Sequence, residues 1–208
     1  MRAVIVANGV IDDPETEIAR WIESDALVVA ADGGTFHALD AGVTPDVVIG
    51  DLDSLPASLR RTLHEAGATF DEHPPAKDET DLELALAWAA GQSGIDPIVV
   101  LGGLGGRPDQ ALANLLLLAM PVLEGRDVCF ADGAWTIRMI HPERVLRLDG
   151  QPGDRLSLIP LGGEAEGVTT SGLAYPLDEE TLHFGPARGV SNVFEEAAVT
   201  VSLRRGRL

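Results

Sequence analysis

Residues 47–55 read V-V-I-G-D-L-D-S-L, a β-branched run that ends in two carboxylates, Asp51 and Asp53, one residue apart. The apolar part predicts a buried strand bounded by Pro45 and Gly50. Paired charge at the end of a buried strand calls for something to neutralise it. A hard divalent cation such as Mg²⁺ takes oxygen ligands and commonly carries a phosphate with it. The competing reading is a turn in which both side chains bond nearby backbone N–H groups.

Three other stretches carry residues of the same chemical character. Asp32-Gly33-Gly34 follows one apolar run, and Lys77-Asp78-Glu79-Thr80-Asp81 opens a helical pattern. Gly102-Gly103-Leu104-Gly105-Gly106 follows another run and leads into Arg107, Pro108 and Asp109. Successive glycines can expose backbone N–H groups to an anion, and a helix start adds its positive end. Arg107 supplies a permanent planar cation for phosphate oxygens. No G-K-[ST] follows, so this is not a Walker loop. Asp78 and Asp81 stand three apart at a helix start, a spacing that suits one metal ligand and one base or nucleotide contact. Lys77, the one lysine of the chain, adjoins them and is placed to reach a phosphate or to offset the acids. There is no Cys/His pair and no G-x-S-x-G elbow, which argues against a covalent nucleophile. Acids, a bridging cation, a glycine nest and an arginine suffice for phosphoryl-type transfer, which needs mainly positioning and charge neutralisation.

These residues need a frame that gathers them. Apolar runs at 3–7, 26–31, 47–49, 68–70 and 98–101 alternate with helical patterns. Asp13 with Pro14 predicts a helix start, as does Ser54 before Pro56. Thr80 and Glu83 form a capping box for a helix from 81 to about 90, and a last helix runs from about 110 to 120. The alternation predicts an open, mostly parallel, Rossmann-like α/β sheet over residues 1–126. Ligands of such sheets bind beyond the carboxyl ends of the strands, where all four stretches fall. Short β-like runs at 128–131, 136–140, 145–148, 155–159 and 199–203 predict a small all-β sandwich over residues 127–208.

Composition narrows the partners. The chain has 208 residues, 45% hydrophobic and 23% charged, enough to bury a sizeable core. Its net charge of −18 repels nucleic acid and anionic lipid, and neither is expected as a partner. No apolar run is long enough for a membrane span. A strand starting at residue 3 leaves no room for a signal peptide, and the single Cys129 suits a reducing compartment, so the expected location is cytoplasmic.

The ordered set of blocks resembles the thiamine pyrophosphokinase (thiamine diphosphokinase) family. The resemblance rests on A-D-G-G at 31–34, P-D-V-V-I-G-D-L-D-S at 45–54, K-D-E-T-D at 77–81 and G-G-L-G-G-R-P-D-Q at 102–110. It continues with S-G-L-A-Y-P-L at 171–177 and G-V-S-N at 189–192. It implies an ATP-binding α/β domain, a β-sandwich that binds thiamine and dimerises, and a homodimer with active sites between subunits. The implied reaction moves the pyrophosphoryl group of Mg·ATP to the hydroxyl of thiamine and releases AMP. Asp51, Asp53 and Asp81 would hold Mg²⁺. Asp78, Thr80, Arg107 and Asp109 would line the transfer site, with Asp78 or Asp109 as base. Asp32, Gly33, Gly34, Lys77 and the glycines at 102, 103, 105 and 106 would contact the nucleotide. Gln110, Ser191 and Asn192 would contact thiamine. Pro108 stands where the family often has a larger apolar residue, and Phe194 is the one aromatic after Asn192. The alternatives are transfer to another small alcohol, metal-dependent nucleotide hydrolysis, or a non-catalytic sensor of nucleotide or thiamine diphosphate.

Overall fold

Short apolar runs form the buried interior strands β1 (Ala3–Val6), β2 (Leu27–Ala31), β3 (Val47–Gly50), β5 (Ile98–Leu101) and β6 (Val128–Asp132), and the more polar, partly exposed β4 (Thr69–Glu72) and β7 (Trp135–Arg138) form the edges. The helices between them are α1 (Pro14–Ala19), α2 (Gly34–Asp40), α3 (Ala57–Glu65), α4 (Asp81–Gly91) and α5 (Pro108–Leu116). The computed structural model describes residues 1–22, 25–142 and 144–208. It divides into two units, Met1–Arg138 and Met139–Leu208.

In the first unit the seven strands form one sheet in the order β4-β3-β2-β1-β5-β6-β7. Every neighbouring pair is parallel except β6 with β7. Val4, Val6, Val28, Val99 and Leu101 pack together with Ile18 of α1. Full burial of each such side chain contributes about 1.5–3 kcal/mol before entropy is counted. Alternate residues such as Ile5, Val29 and Ile49 point to the opposite face, and α4 packs across β1, β2 and β3. α4 buries Leu82, Ala85, Leu86 and Ala89, and Thr80 caps it by accepting from the Glu83 N–H at 3.1 Å.

Register decides what reaches the edge. Val6 lies beside Ala30 and Leu101, and Ile49 lies beside Ala31. The parallel strands therefore end nearly level, and the turns after β1, β2, β3 and β5 emerge on one side of the sheet. The strand order reverses between β1 and β5, which opens a crevice between their carboxyl ends.

The second unit is antiparallel. It contains β8 (Val145–Asp149), β9 (Arg155–Leu156), β10 (Ala165–Ser171), β11 (Glu180–Leu182), β12 (Asn192–Val193) and β13 (Ala198–Ser202). Four strands form a sheet in the order β11-β10-β13-β8, and β12 pairs with β9. Leu158, Ala165, Val168, Leu182, Val201 and Leu203 form its main core.

The structure differs from the sequence expectations at several places. The boundary falls at 138/139 and not at 126/127, because β6 and β7 extend the first sheet. The V-C-F-A run of β6 is buried throughout, the mark of an interior parallel strand. Ser54 caps no helix: α3 starts after Pro56, which has no side-chain cap. The last helix ends at Leu116 and tightens to a 3₁₀ turn at Leu117–Ala119. The strand β10 has no legible period because a register shift between Ala165 and Val168, with Gly167 at φ 64°, breaks the alternation.

Candidate active site

At the end of β2 the chain turns through Asp32, whose φ of 40° is forced by the helix that starts at Gly34. Its carbonyl accepts from the N–H of Thr35 at 3.0 Å and from the Thr35 hydroxyl at 2.7 Å, so the backbone of the turn is pinned. At the end of β3 the chain turns again through Leu52 at φ 59°, and Asp51 Oδ1 accepts from the Asp53 N–H at 3.1 Å. These two turns bring one carboxylate oxygen each from Asp32, Asp51 and Asp53 within 4.8 Å of one another. Asp32 Oδ1 is buried and has no hydrogen-bond partner. Burial, together with the charges of Asp81 and Asp51, pushes the Asp32 carboxyl above the ordinary range, against a lowering hydrogen bond from Ser54. Thus Ser54 serves the acidic corner and not a helix start.

Asp81, expected as the third cation ligand, turns to Lys77 instead. The ammonium lies 2.8 Å from Asp81 Oδ1, and the lysine side chain is only 10% exposed. Burial works against its charge, but the bond to Asp81 and the charges of Asp81, Asp51 and Asp32 outweigh it and raise its pKa. Asp32 thus joins Asp51 and Asp53 in the convergent carboxylate set. The reason is local: Lys77 precedes α4 by one turn and offers Asp81 a partner that Asp32 lacks. Asp81 still borders the corner, since a Cβ added to Gly50 would meet its Oδ1 at 3.0 Å. Asp78 and Thr80 are exposed at the mouth of this loop.

The glycine turn after β5 is built on left-handed backbone. Gly102, Gly105 and Gly106 have φ of 65°, 80° and 64°, conformations a side chain would strain. Asn114 of α5 donates to the Gly103 carbonyl at 2.8 Å and ties the turn to its helix. A further corner was missed in the sequence, Asn8-Gly9 after β1, at the switch point itself. The Gly9 N–H donates to the Gly102 carbonyl at 2.7 Å, and His37 Nε2 donates to the Gly9 carbonyl at 2.8 Å. The Asn8 amide lies over Gly33, where a Cβ would meet its nitrogen at 2.5 Å. One chain of close contacts therefore runs from the acidic corner through Asn8 and Gly9 to the glycine turn. The available signal was an N-G pair directly after the first strand.

Arg107 and Asp109 face each other as a fork, with Nε to Oδ1 at 3.1 Å and Nη2 to Oδ2 at 2.6 Å. Both are about two-thirds exposed. The hydrogen bond from Arg107 holds the Asp109 carboxyl below its ordinary range, which weakens it as a proton acceptor. Gln110 is exposed in the first turn of α5.

In the second unit Ser191 is exposed at φ 64°. Asn192 is buried: its Oδ1 accepts from the Tyr175 and Val193 N–H groups, and its Nδ2 donates to the Tyr175 carbonyl at 2.7 Å. It clasps the backbone of Tyr175, whose ring is 71% exposed. Phe194 is 6% exposed and packs on Leu173 and Val199, so it belongs to the core.

The donor set fits a hard cation, because three carboxylates converge and one of their oxygens is buried without a partner. Comparison with known proteins identifies the family. The family model "Thiamin pyrophosphokinase, catalytic domain" matches residues 18–130, and "Thiamin pyrophosphokinase, vitamin B1 binding domain" matches residues 140–208. Thiamine pyrophosphokinase of Bacillus subtilis is 28% identical over 208 residues, covering 100% of this chain and 97% of its own. The crystal structure of a thiamine pyrophosphokinase from B. subtilis superposes with a TM-score of 0.85 at 30% identity, covering 100% of this chain and 96% of that one. The Geobacillus thermodenitrificans structure gives 0.84 at 28% identity, covering 100% and 94%. Two family models in series, together spanning most of its length, and full-length likeness in sequence and fold establish that the chain belongs to the thiamine pyrophosphokinase family.

Proposed function

We infer that this protein is an ATP-dependent pyrophosphotransferase that converts thiamine to thiamine diphosphate. The observation that carries the reading is the convergence of Asp32, Asp51 and Asp53 on the same sheet edge as the glycine turn at 102–106. Asp32, Asp51 and Asp53 would hold Mg²⁺, with Asp81 and Lys77 beside them. The ion, when bound, neutralises phosphate charge and polarises the phosphorus under attack. Exposed N–H groups of Gly105 and Gly106 receive phosphate oxygens, and Lys77 and Arg107 supply positive charge in a chain of net charge −18.

The hydroxyl oxygen of thiamine attacks the β-phosphorus, and the bond from that phosphorus to the α–β bridging oxygen breaks. AMP leaves with the bridging oxygen, and the hydroxyl proton passes to a carboxylate. Asp78 suits that role better than Asp109, whose proton affinity the Arg107 pair lowers. Ser191 and Tyr175, the last held by Asn192, receive thiamine. The working form is a cytoplasmic homodimer with its active sites between subunits. Support for assembly comes from Leu112 and Leu116, which stand exposed on α5.

The test is an end-point assay of purified protein with Mg·ATP, with and without thiamine. AMP and thiamine diphosphate should appear together and only with thiamine. Phosphate release without an acceptor would instead identify a nucleotide hydrolase.

A further inference from the structure

Arg60 belongs to none of the motifs above, yet it holds the loop that carries Asp51 and Asp53. From α3 its Nε donates to the Leu55 carbonyl at 3.1 Å, and its Nη2 donates to the Leu52 carbonyl. Its Nη1 lies 3.7 Å from Glu72 Oε1 at the end of β4. The two carbonyls flank Asp53, and Leu52 separates Asp53 from Asp51. Leu52 is the strained residue of this turn, with φ 59° and 1% exposure. A leucine does not take a left-handed backbone unless its surroundings over-determine it. Here burial of the side chain and the guanidinium on its carbonyl do so together.

We propose that Arg60 is a positioning residue for the divalent-cation site, holding the 51–55 loop in the one conformation that points Asp51 and Asp53 at Asp32. The inference rests on the reading of those three acids as cation ligands. Without a cation the carboxylates repel one another across at most 4.8 Å, so the loop needs an external constraint to stay preformed. A guanidinium fork reaches two carbonyls at once in fixed geometry, and an ammonium on a flexible stem does not. The ion pair to Glu72 is secondary, because the glutamate side chain is 64% exposed and its partner lies at the long end of ion-pair distance.

The experiment is an Mn²⁺ titration of the full chain, read by the EPR signal of free ion, well below the melting temperature and without nucleotide. Wild type, Arg60→Lys, Arg60→Met, Glu72→Gln and Asp51→Asn are compared, with thermal melts alongside. Asp51→Asn should abolish binding. Both Arg60 variants should weaken Mn²⁺ binding roughly ten- to a hundredfold, the usual effect of removing a partner that orients ligands. Glu72→Gln should bind as wild type does. Arg60→Lys keeps the charge and most of the stem, so it reports even if Arg60→Met does not fold. Unchanged Mn²⁺ affinity in Arg60→Lys, with binding lost in Asp51→Asn, overturns the positioning role alone, whatever the melts show. Wild-type protein that binds no Mn²⁺, or Asp51→Asn that binds it normally, overturns the cation site and this inference together.

Discussion

Asp32 and Asp81 face each other across Gly50: a Cβ built on that glycine would lie 2.9 Å from the Asp32 Cβ and 3.0 Å from Asp81 Oδ1. Asp32 follows β2 and Asp81 opens α4, and the two meet over the end of β3, which finishes in a residue with no side chain. Gly50 also sits at φ 149°, outside the ordinary range of residues with a side chain. Gly50→Ala should therefore cost about 1–3 kcal/mol of stability. Urea denaturation measures that loss, and Mg²⁺-dependent AMP release should fall with it even at temperatures where the variant is fully folded.

The pH dependence of Asp32 has a definite sign. Burial and neighbouring acids raise its folded pKa above the unfolded value, so the native state holds the proton more tightly. Stability then falls as pH rises from the unfolded to the raised folded value, and the loss is complete above the latter. Metal-free Asp32→Asn should lack this contribution and melt higher than wild type at neutral pH, while its turnover collapses. Melting curves across the acidic range, with chelator present, check both halves of the statement.

Lys77 is paired with Asp81 beside the acidic corner and stays protonated at neutral pH, since its partners raise its pKa. A charge-assisted bond to phosphate contributes about 1.5–3 kcal/mol. Lys77→Met should raise the KM for ATP by roughly ten- to a hundredfold, the same energy expressed as affinity. The KM for thiamine should stay within a factor of about three, a shift well below 1 kcal/mol. Steady-state kinetics with each substrate varied in turn distinguishes the two.

Two aromatics of the second unit should respond in opposite ways. Phe194 is core, and Phe194→Ala should destabilise by about 3–5 kcal/mol. Tyr175 is exposed, so Tyr175→Ala should leave the melting temperature nearly unchanged and raise the KM for thiamine. Equal thiamine KM in wild type and Tyr175→Ala would remove this ring from the acceptor site.

Much of this was legible in the residue order, for reasons that differ by element. Runs such as A-V-I-V and I-V-V-L are too apolar for any place but the interior of a sheet, and the helical patterns between them leave the sheet parallel. Glycines needing a left-handed backbone and acids closing buried strands announce a phosphate and cation site by residue type alone. Chain order therefore determined the fold class and the sheet edge at which the acids and glycines gather. Only the tertiary structure decided the pairings. Asp32 joined Asp51 and Asp53 while Asp81 went to Lys77, Arg107 met Asp109, and Arg60 reached the Leu52 and Leu55 carbonyls. It also gave β6 and β7 to the first sheet and Phe194 to the core. These outcomes depend on register and on competition for counter-charge between residues far apart in the chain, and a local pattern carries no record of who stands opposite whom.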